Sequence, residues 1–195
     1  DDGLNAAGGS SFELVDGLLV LKDTSSSDTE QTFGGRGGMF EVEDNCDITI
    51  SGGNLTVTTS NGDGIDSNGS LNVSGGTVLV FGSSSGGEEG ALDYTGSSSI
   101  SGGTLVALGS SGMAQSMEPD DSHATLMVTW DEVQPAGTRL TLCTQQGEIL
   151  CSLQSTNSFQ TAVISTDSLS AGQKVSLYTS GTVNSDSQLL TMGTL

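Results

Sequence analysis

The chain reads as all-β: a right-handed parallel β-helix, or solenoid, closed at its C-terminal end by a small antiparallel β-rich cap. Three observations predict this. One phrase is written twice between residues 63 and 112, with a period of 27 residues. Each copy holds two short apolar runs separated by Ser-Gly-Gly, without helical periodicity. Beyond residue 112 the repeat stops and ordinary alternating strands follow. A period of about 20 to 30 residues signals a solenoid, and short strands with a glycine corner and a polar loop describe one coil of a β-helix.

The copies align residue by residue. Asp66 and Asp93 are each followed three residues on by glycine (Gly69, Gly96) and seven on by a β-branched residue (Val73, Ile100). Ser-Gly-Gly comes next, at 74–76 and 101–103, then apolar strands at 78–81 and 105–108. A third Ser-Gly-Gly at 51–53 lies 23 residues before the second. Only glycine adopts the corner dihedrals at little cost. Coils stack about 4.8 Å apart, so a residue recurring in register lies beside its equivalent.

That stacking gives the repeated acids their interest. Asp66 and Asp93 are expected to be neighbours, with Asp63 and the pair Glu88, Glu89 a few residues upstream. Two carboxylates ~4.8 Å apart at an effective dielectric near 20 repel by roughly 3.5 kcal/mol. Either the acids splay into water or a hard cation sits between them. Calcium, which takes oxygens in loose geometry, suits such loops.

The composition points the same way. The 195 residues include 29 glycines and only 4 Lys or Arg, for a net charge of -20. A surface this acidic repels nucleic acid and anionic membranes, and also an anionic polymer unless a cation bridges the two. No transmembrane run is visible, so membrane insertion is not expected.

The opening Asp2-Gly3-Leu4-Asn5 matches Asp63-Gly64-Ile65-Asp66, so the first residues read as the middle of a coil. Earlier coils and an export signal are expected to precede it in the natural protein, leaving an N-terminal strand edge open to pairing with another chain. Asn5 to Gly8 follow the rule of Asp66 to Gly69, and Phe12 falls where Val73 does. Residues 13–38 then break the pattern as an excursion with a mobile tip near Ser25, returning through Gly34-Gly35-Arg36-Gly37-Gly38. Those glycines are either a turn or a frame letting a ligand approach Arg36, whose fork suits a carboxylate. Residues 39–57 resume the coil, with Cys46 in the core and a solvated cluster at Glu41, Glu43 and Asp44.

Residues 1–112 thus form the helix and 113–195 the cap. Residues 113–123 are a link containing Pro119. Strands are predicted at 125–130, 139–143, 149–153, 159–164 and 174–178, with a hairpin turn at 145–148. Trp130 is expected in the core of the cap. Cys143 and Cys151 flank the hairpin, and their pairing is open without the register; the three cysteines do not have zinc spacing. The acids belong mainly to the helix: residues 1–118 hold 17 of the 24, against Lys22 and Arg36 alone.

The phrases GGRGGMF, GDGIDSNGSLNVSGGTV, GALDY and ISGGTLVALGSSGMAQS resemble the bacterial carbohydrate-binding β-helix family, over most of the chain. That family has the shape of pectate lyase, binds calcium, and is associated with polygalacturonate and related cell-wall glycans. The resemblance implies calcium ligands at Asp63, Asp66 and Asp93, which match its motif, and more loosely at Asp2 and Asn5. Glu88 and Glu89 are added from register alone.

The resemblance thus implies an extracellular, secreted or surface-displayed module that binds acidic polysaccharide through calcium and performs no catalysis. Asp66 and Asp93 would hold a calcium that a uronate completes, with Arg36 adding an ion pair and Tyr94 either a stacking ring or a packed aromatic. A surface adhesin or structural β-helix, with purely structural calcium, is the alternative. A pectate-lyase-like enzyme is the second: its base would be an arginine or lysine, and the helix offers only Lys22 and Arg36. A galacturonan hydrolase would use paired carboxylates, but the Asn-Thr-Asp, Gly-His-Gly and Arg-Ile-Lys elements are absent and the single histidine, His123, lies in the link.

Overall fold

The structure, a computed structural model, describes residues 2–7, 10–15, 18–23, 46–84, 89–180 and 188–191. Among them every regular element is a strand, and no helix occurs. In the first half these are β1 (Leu4–Ala6), β2 (Ser10–Val15), β3 (Leu18–Asp23), β4 (Ile48–Ile50), β5 (Asn54–Thr58), β6 (Ile65–Ser67), β7 (Leu71–Phe81), β8 (Leu92–Tyr94) and β9 (Ser98–Gly109). The second half holds β10 (Thr125–Gln134), β11 (Arg139–Thr144), β12 (Ile149–Gln154), β13 (Phe159–Thr166), β14 (Val175–Ser180) and β15 (Gln188–Thr191).

Three sheets result. A small parallel sheet is ordered β1-β6-β8. The largest is ordered β10-β13-β9-β7-β4-β2-β3, with β5 also paired to β7. The third, antiparallel, is ordered β12-β11-β14-β15.

The repeat period is the register offset. Asp66 pairs Asp93, Val73 pairs Ile100 and Val78 pairs Leu105, each 27 residues apart. The preceding unit lies 23 residues back, with Ile48 on Leu71 and Leu55 on Val78. Ser-Gly-Gly bends β7 and β9 in the middle, where the ladder between them shifts register. Gly53, Gly76 and Gly103 sit at φ 82°, 87° and 84°. A Cβ on Gly76 would come within 2.6 Å of Gly53 O, and one on Gly103 within 2.5 Å of Gly76 O. These corners need glycine both for the left-handed backbone and for the contact between layers.

Alternation along the bent strands serves two cores. Val78, Val80, Leu105 and Ala107 face a core closed by Leu71, Val73, Leu92 and Ile100. Phe81, Val106 and Leu108 face a second core, built with Leu126, Leu140, Leu142, Phe159, Ile164 and Leu177. Trp130 belongs to that core, edge-on to Phe159 with ring centroids 5.3 Å apart.

The sequence expectation for residues 113–195 holds in its strands and changes in its attachment. All five predicted strands are present, and the turn closes with Gly147 N donating to Thr144 O at 3.0 Å. However, β13 pairs antiparallel with β9, so the largest sheet runs unbroken across the expected boundary. The link bonds to β8 and β9. Gln115 Oε1 accepts the Tyr94 amide at 2.9 Å, and Ile100 N donates to Glu118 O at 2.8 Å.

Three further expectations are corrected or placed. Phe12 aligns through Ile48 with Leu71, and Leu14 through Ile50 with Val73, because the corner after Ala6 is two residues longer than the one after Ser67. An offset of two keeps the strand alternation in phase. The excursion begins inside a hairpin: β2 pairs antiparallel with β3, which covers the edge of β2, while β1 remains an edge strand of its sheet. The rest of the excursion, with Ser25 and Arg36, lies outside the described residues, as do Glu41, Glu43, Asp44 and Glu88. Cys143 and Cys151 are free thiols; the register sets Cys151 opposite Leu142, and Cys143 opposite Ile149. Cys46 is fully buried.

Candidate functional site

The small parallel sheet positions the acids. In β6, Ile65 and Ser67 are buried and Asp66 between them is partly exposed, as alternation requires. The register then sets Asn5, Asp66 and Asp93 side by side across β1, β6 and β8. The amide of Asn5 occupies one end of this row. Its Nδ2 donates to Asp66 Oδ2 at 2.5 Å and to Asp2 Oδ2 at 3.1 Å.

One turn upstream lies a second row. Gly3 N donates to Asp63 O and Gly64 N to Gly90 O, so Asp2, Asp63 and Gly90 are equivalent positions. Each aspartate here caps the next layer: Asp63 N donates to Asp2 Oδ1 at 3.0 Å, and Gly90 N to Asp63 Oδ1 at 2.5 Å. Glu89 stands one residue out of step with Asp63.

The two rows share a field. Burial raises the Asp63 carboxyl above the usual carboxylate range; the Gly90 amide opposes this, and Asp93, Asp2 and Glu89 push it up further. The donors are all oxygens, which is the chemistry of a hard cation. Their positions are less complete: among the described residues no group of three or more His, Cys, Asp or Glu side chains is placed to hold a metal ion together.

Tyr94 adjoins the row but is engaged elsewhere. It packs against the first core, and its hydroxyl donates to Ser116 O at 2.7 Å. A cavity of about 280 Å³ is lined by Ser60, Ser83, Ser84, Ala136, Thr156, Asn157 and Ser158, and includes none of the acids.

No family model, curated protein or solved structure matches this chain. The resemblance drawn from the sequence therefore stands on its motifs alone.

Sequence reasoning missed three groups that organise the surroundings. Gln115 closes the edge of β8 by bonding both the amide and the carbonyl of Tyr94. Asn157 Nδ2 reaches Thr59 O, Phe81 O and Gly82 O at 2.7, 3.0 and 3.1 Å, joining two layers to the loop after β12. His123 is held between Asp120 and Asp167. Only Asp120, three residues from His123, gave a local signal; the other partners are distant in sequence.

Proposed function

We propose that this chain is part of a right-handed parallel β-helix that binds an acidic, polygalacturonate-like polysaccharide through calcium, without catalysis, outside the cell. The observation carrying this reading is the register of Asn5, Asp66 and Asp93, which lines oxygen-bearing side chains along one sheet at strand spacing. The 27-residue offset common to two sheets supports the β-helix, since only stacked coils of constant length keep two ladders in step.

A chain of net charge -20 does not attract a polyanion by itself. Bound calcium would supply the positive charge, taking roughly six to eight oxygens from chain, ligand and water. Asp66 and Asp93 would hold it, with Asp2, Asp63 and Glu89 contributing charge from the flank. Asn5, an uncharged amide that donates to Asp66, keeps its end of the row from adding a further negative charge. A uronate carboxylate would complete the shell of that calcium. Arg36 would add an ion pair to the ligand, and Tyr94 serves to hold the link.

Native gels cast with polygalacturonate, run with calcium and with chelator, test this. Retardation with calcium alone, abolished in Asp66→Ala, is the expected result. Equal mobility in every gel sinks the reading.

A second reading is a surface adhesin or structural rod, favoured by Asp2 and Asp63, whose carboxylates bond neighbouring layers. It expects calcium to raise stability with no retardation in any gel.

A further inference from the structure

One ionisable cluster lies away from the acidic rows. His123 is the only histidine of the chain and is 8% exposed. Its Nδ1 lies 2.9 Å from Asp120 Oδ1 and its Nε2 3.1 Å from Asp167 Oδ1. Ser122 Oγ donates to the same Asp120 oxygen at 2.7 Å, so it turns a lone pair toward Nδ1, 2.9 Å away. Asp167 Oδ1 also accepts the amide of Gly103 at 2.7 Å.

This geometry decides the protonation of the ring. A neutral imidazole carries one N–H and one lone pair. Whichever nitrogen lacked its proton would aim that lone pair at a carboxylate oxygen. Facing a carboxylate oxygen at each nitrogen, the ring is arranged to favour the doubly protonated form. The charged groups acting on it are Asp167, on the turn after β13, and Asp120, on its own link; both are acids. Hydrogen bonds to Asp167 and then to Asp120 hold the ring above its ordinary pKa, against the opposing effect of burial. The Ser122 hydroxyl first, and His123 second, hold the Asp120 carboxyl down to about 2.

We propose that His123 is a proton-operated latch between the C-terminal sheets and the last repeat. Doubly protonated, it ties the link at Asp120 to the turn at Asp167, whose carboxylate also accepts the Gly103 amide; losing one proton removes one of the two ring ties and loosens the hold on that corner. Gly103 is the left-handed glycine of the last Ser-Gly-Gly, so the latch grips the repeat at its corner. The His123 contribution is complete below about pH 6.5, where the unfolded ring is also charged. It is lost as pH rises through the raised value of the folded ring. On the acid side it fails as pH falls through the Asp120 value of about 2. Mildly acidic to near-neutral solution is the closed range.

The single histidine makes the test direct, since its ring nitrogens are assigned without ambiguity in ¹⁵N spectra. The whole chain is titrated from about pH 5 to about pH 9, with exchange of the Gly103 amide followed in parallel. Both nitrogens should be protonated near pH 6.5 and above it, titrating later than a free histidine. Protection of Gly103 should fall about tenfold for each pH unit by which the ring is raised. In His123→Gln the protection should be low at every pH. A singly protonated ring at pH 6.5, or equal Gly103 protection in both proteins across the range, overturns the proposal. If the variant does not fold, the wild-type ring spectra alone decide.

Discussion

Asp63 bonds its own register equivalents on both sides: its Oδ1 accepts the amide of Gly90, 27 residues on, and its amide donates to Asp2, 61 residues back. The side chains thus add a ladder beside the backbone ladder. The same stacking brings Asp93, Asp2 and Glu89 close enough to disfavour the charge on Asp63. Geometry and charge pull in opposite directions at one residue.

Asp63→Asn separates the two. An asparagine keeps the acceptor for Gly90 and removes the charge. Because the folded carboxyl is raised, its ionisation weakens folding as pH climbs above about 3.8, the penalty being complete above the folded value. In chelator at neutral pH the variant should melt higher than wild type, and the gap should close toward pH 3.8. Thermal melts of both proteins across that range decide; a gap that does not change with pH removes the electrostatic account.

Calcium should act at the same rows. At about 100 times its Kd, a cation bound only by the folded chain adds about 2.7 kcal/mol. Asp66→Ala and Asp93→Ala should lose that stabilisation, while Asp167→Asn, in the latch, should keep it. Melting with and without calcium is the measurement, and an equal shift in all four proteins would place the ion elsewhere.

Gly76 and Gly147 form a matched pair, with φ of 87° and 85°. A Cβ at Gly147 meets nothing within 4 Å, whereas at Gly76 it meets Gly53 O at 2.6 Å. Alanine at 147 should cost only the left-handed penalty, about 1 kcal/mol. Alanine at 76 should cost at least about 3 kcal/mol, since backbone must shift between layers. Urea unfolding of the two variants isolates the price of stacking; equal costs would mean that the layers can yield.

Asn157 should matter more than its loop position suggests. Its Nδ2 serves three carbonyl oxygens, so Asn157→Ala should cost about 2 kcal/mol. Asn157→Asp should cost more, because it sets a carboxylate against those oxygens. A denaturant series that ranks the aspartate above the alanine contradicts this.

What could be read in the sequence is what repeats or alternates locally. The 27-residue spacing of Asp66 and Asp93 reappears as their register, and five of the six C-terminal strands among the described residues, all but β15, follow from alternation. The position of Phe12 differs by two residues from the repeat's expectation because corner length carries no periodic signal. The capping role of Gln115, the cross-link at Asn157 and the pairing of Asp167 with His123 were illegible, since each joins segments distant in sequence through one polar side chain. The acidic rows were legible as positions. The amide of Asn5 bridging Asp2 and Asp66 was not, because it depends on rotamers.

The bent strands β7 and β9 act as a party wall, with Val78, Val80, Leu105 and Ala107 on one side and Phe81, Val106 and Leu108 on the other. Stacked repeats commonly peel, one layer after another, when pulled from an end. Here peeling that reaches β9 must tear open the neighbouring core as well. A pull applied at the acidic rows would therefore load both cores together. Rupture should come as one large event near this wall instead of a staircase of small ones.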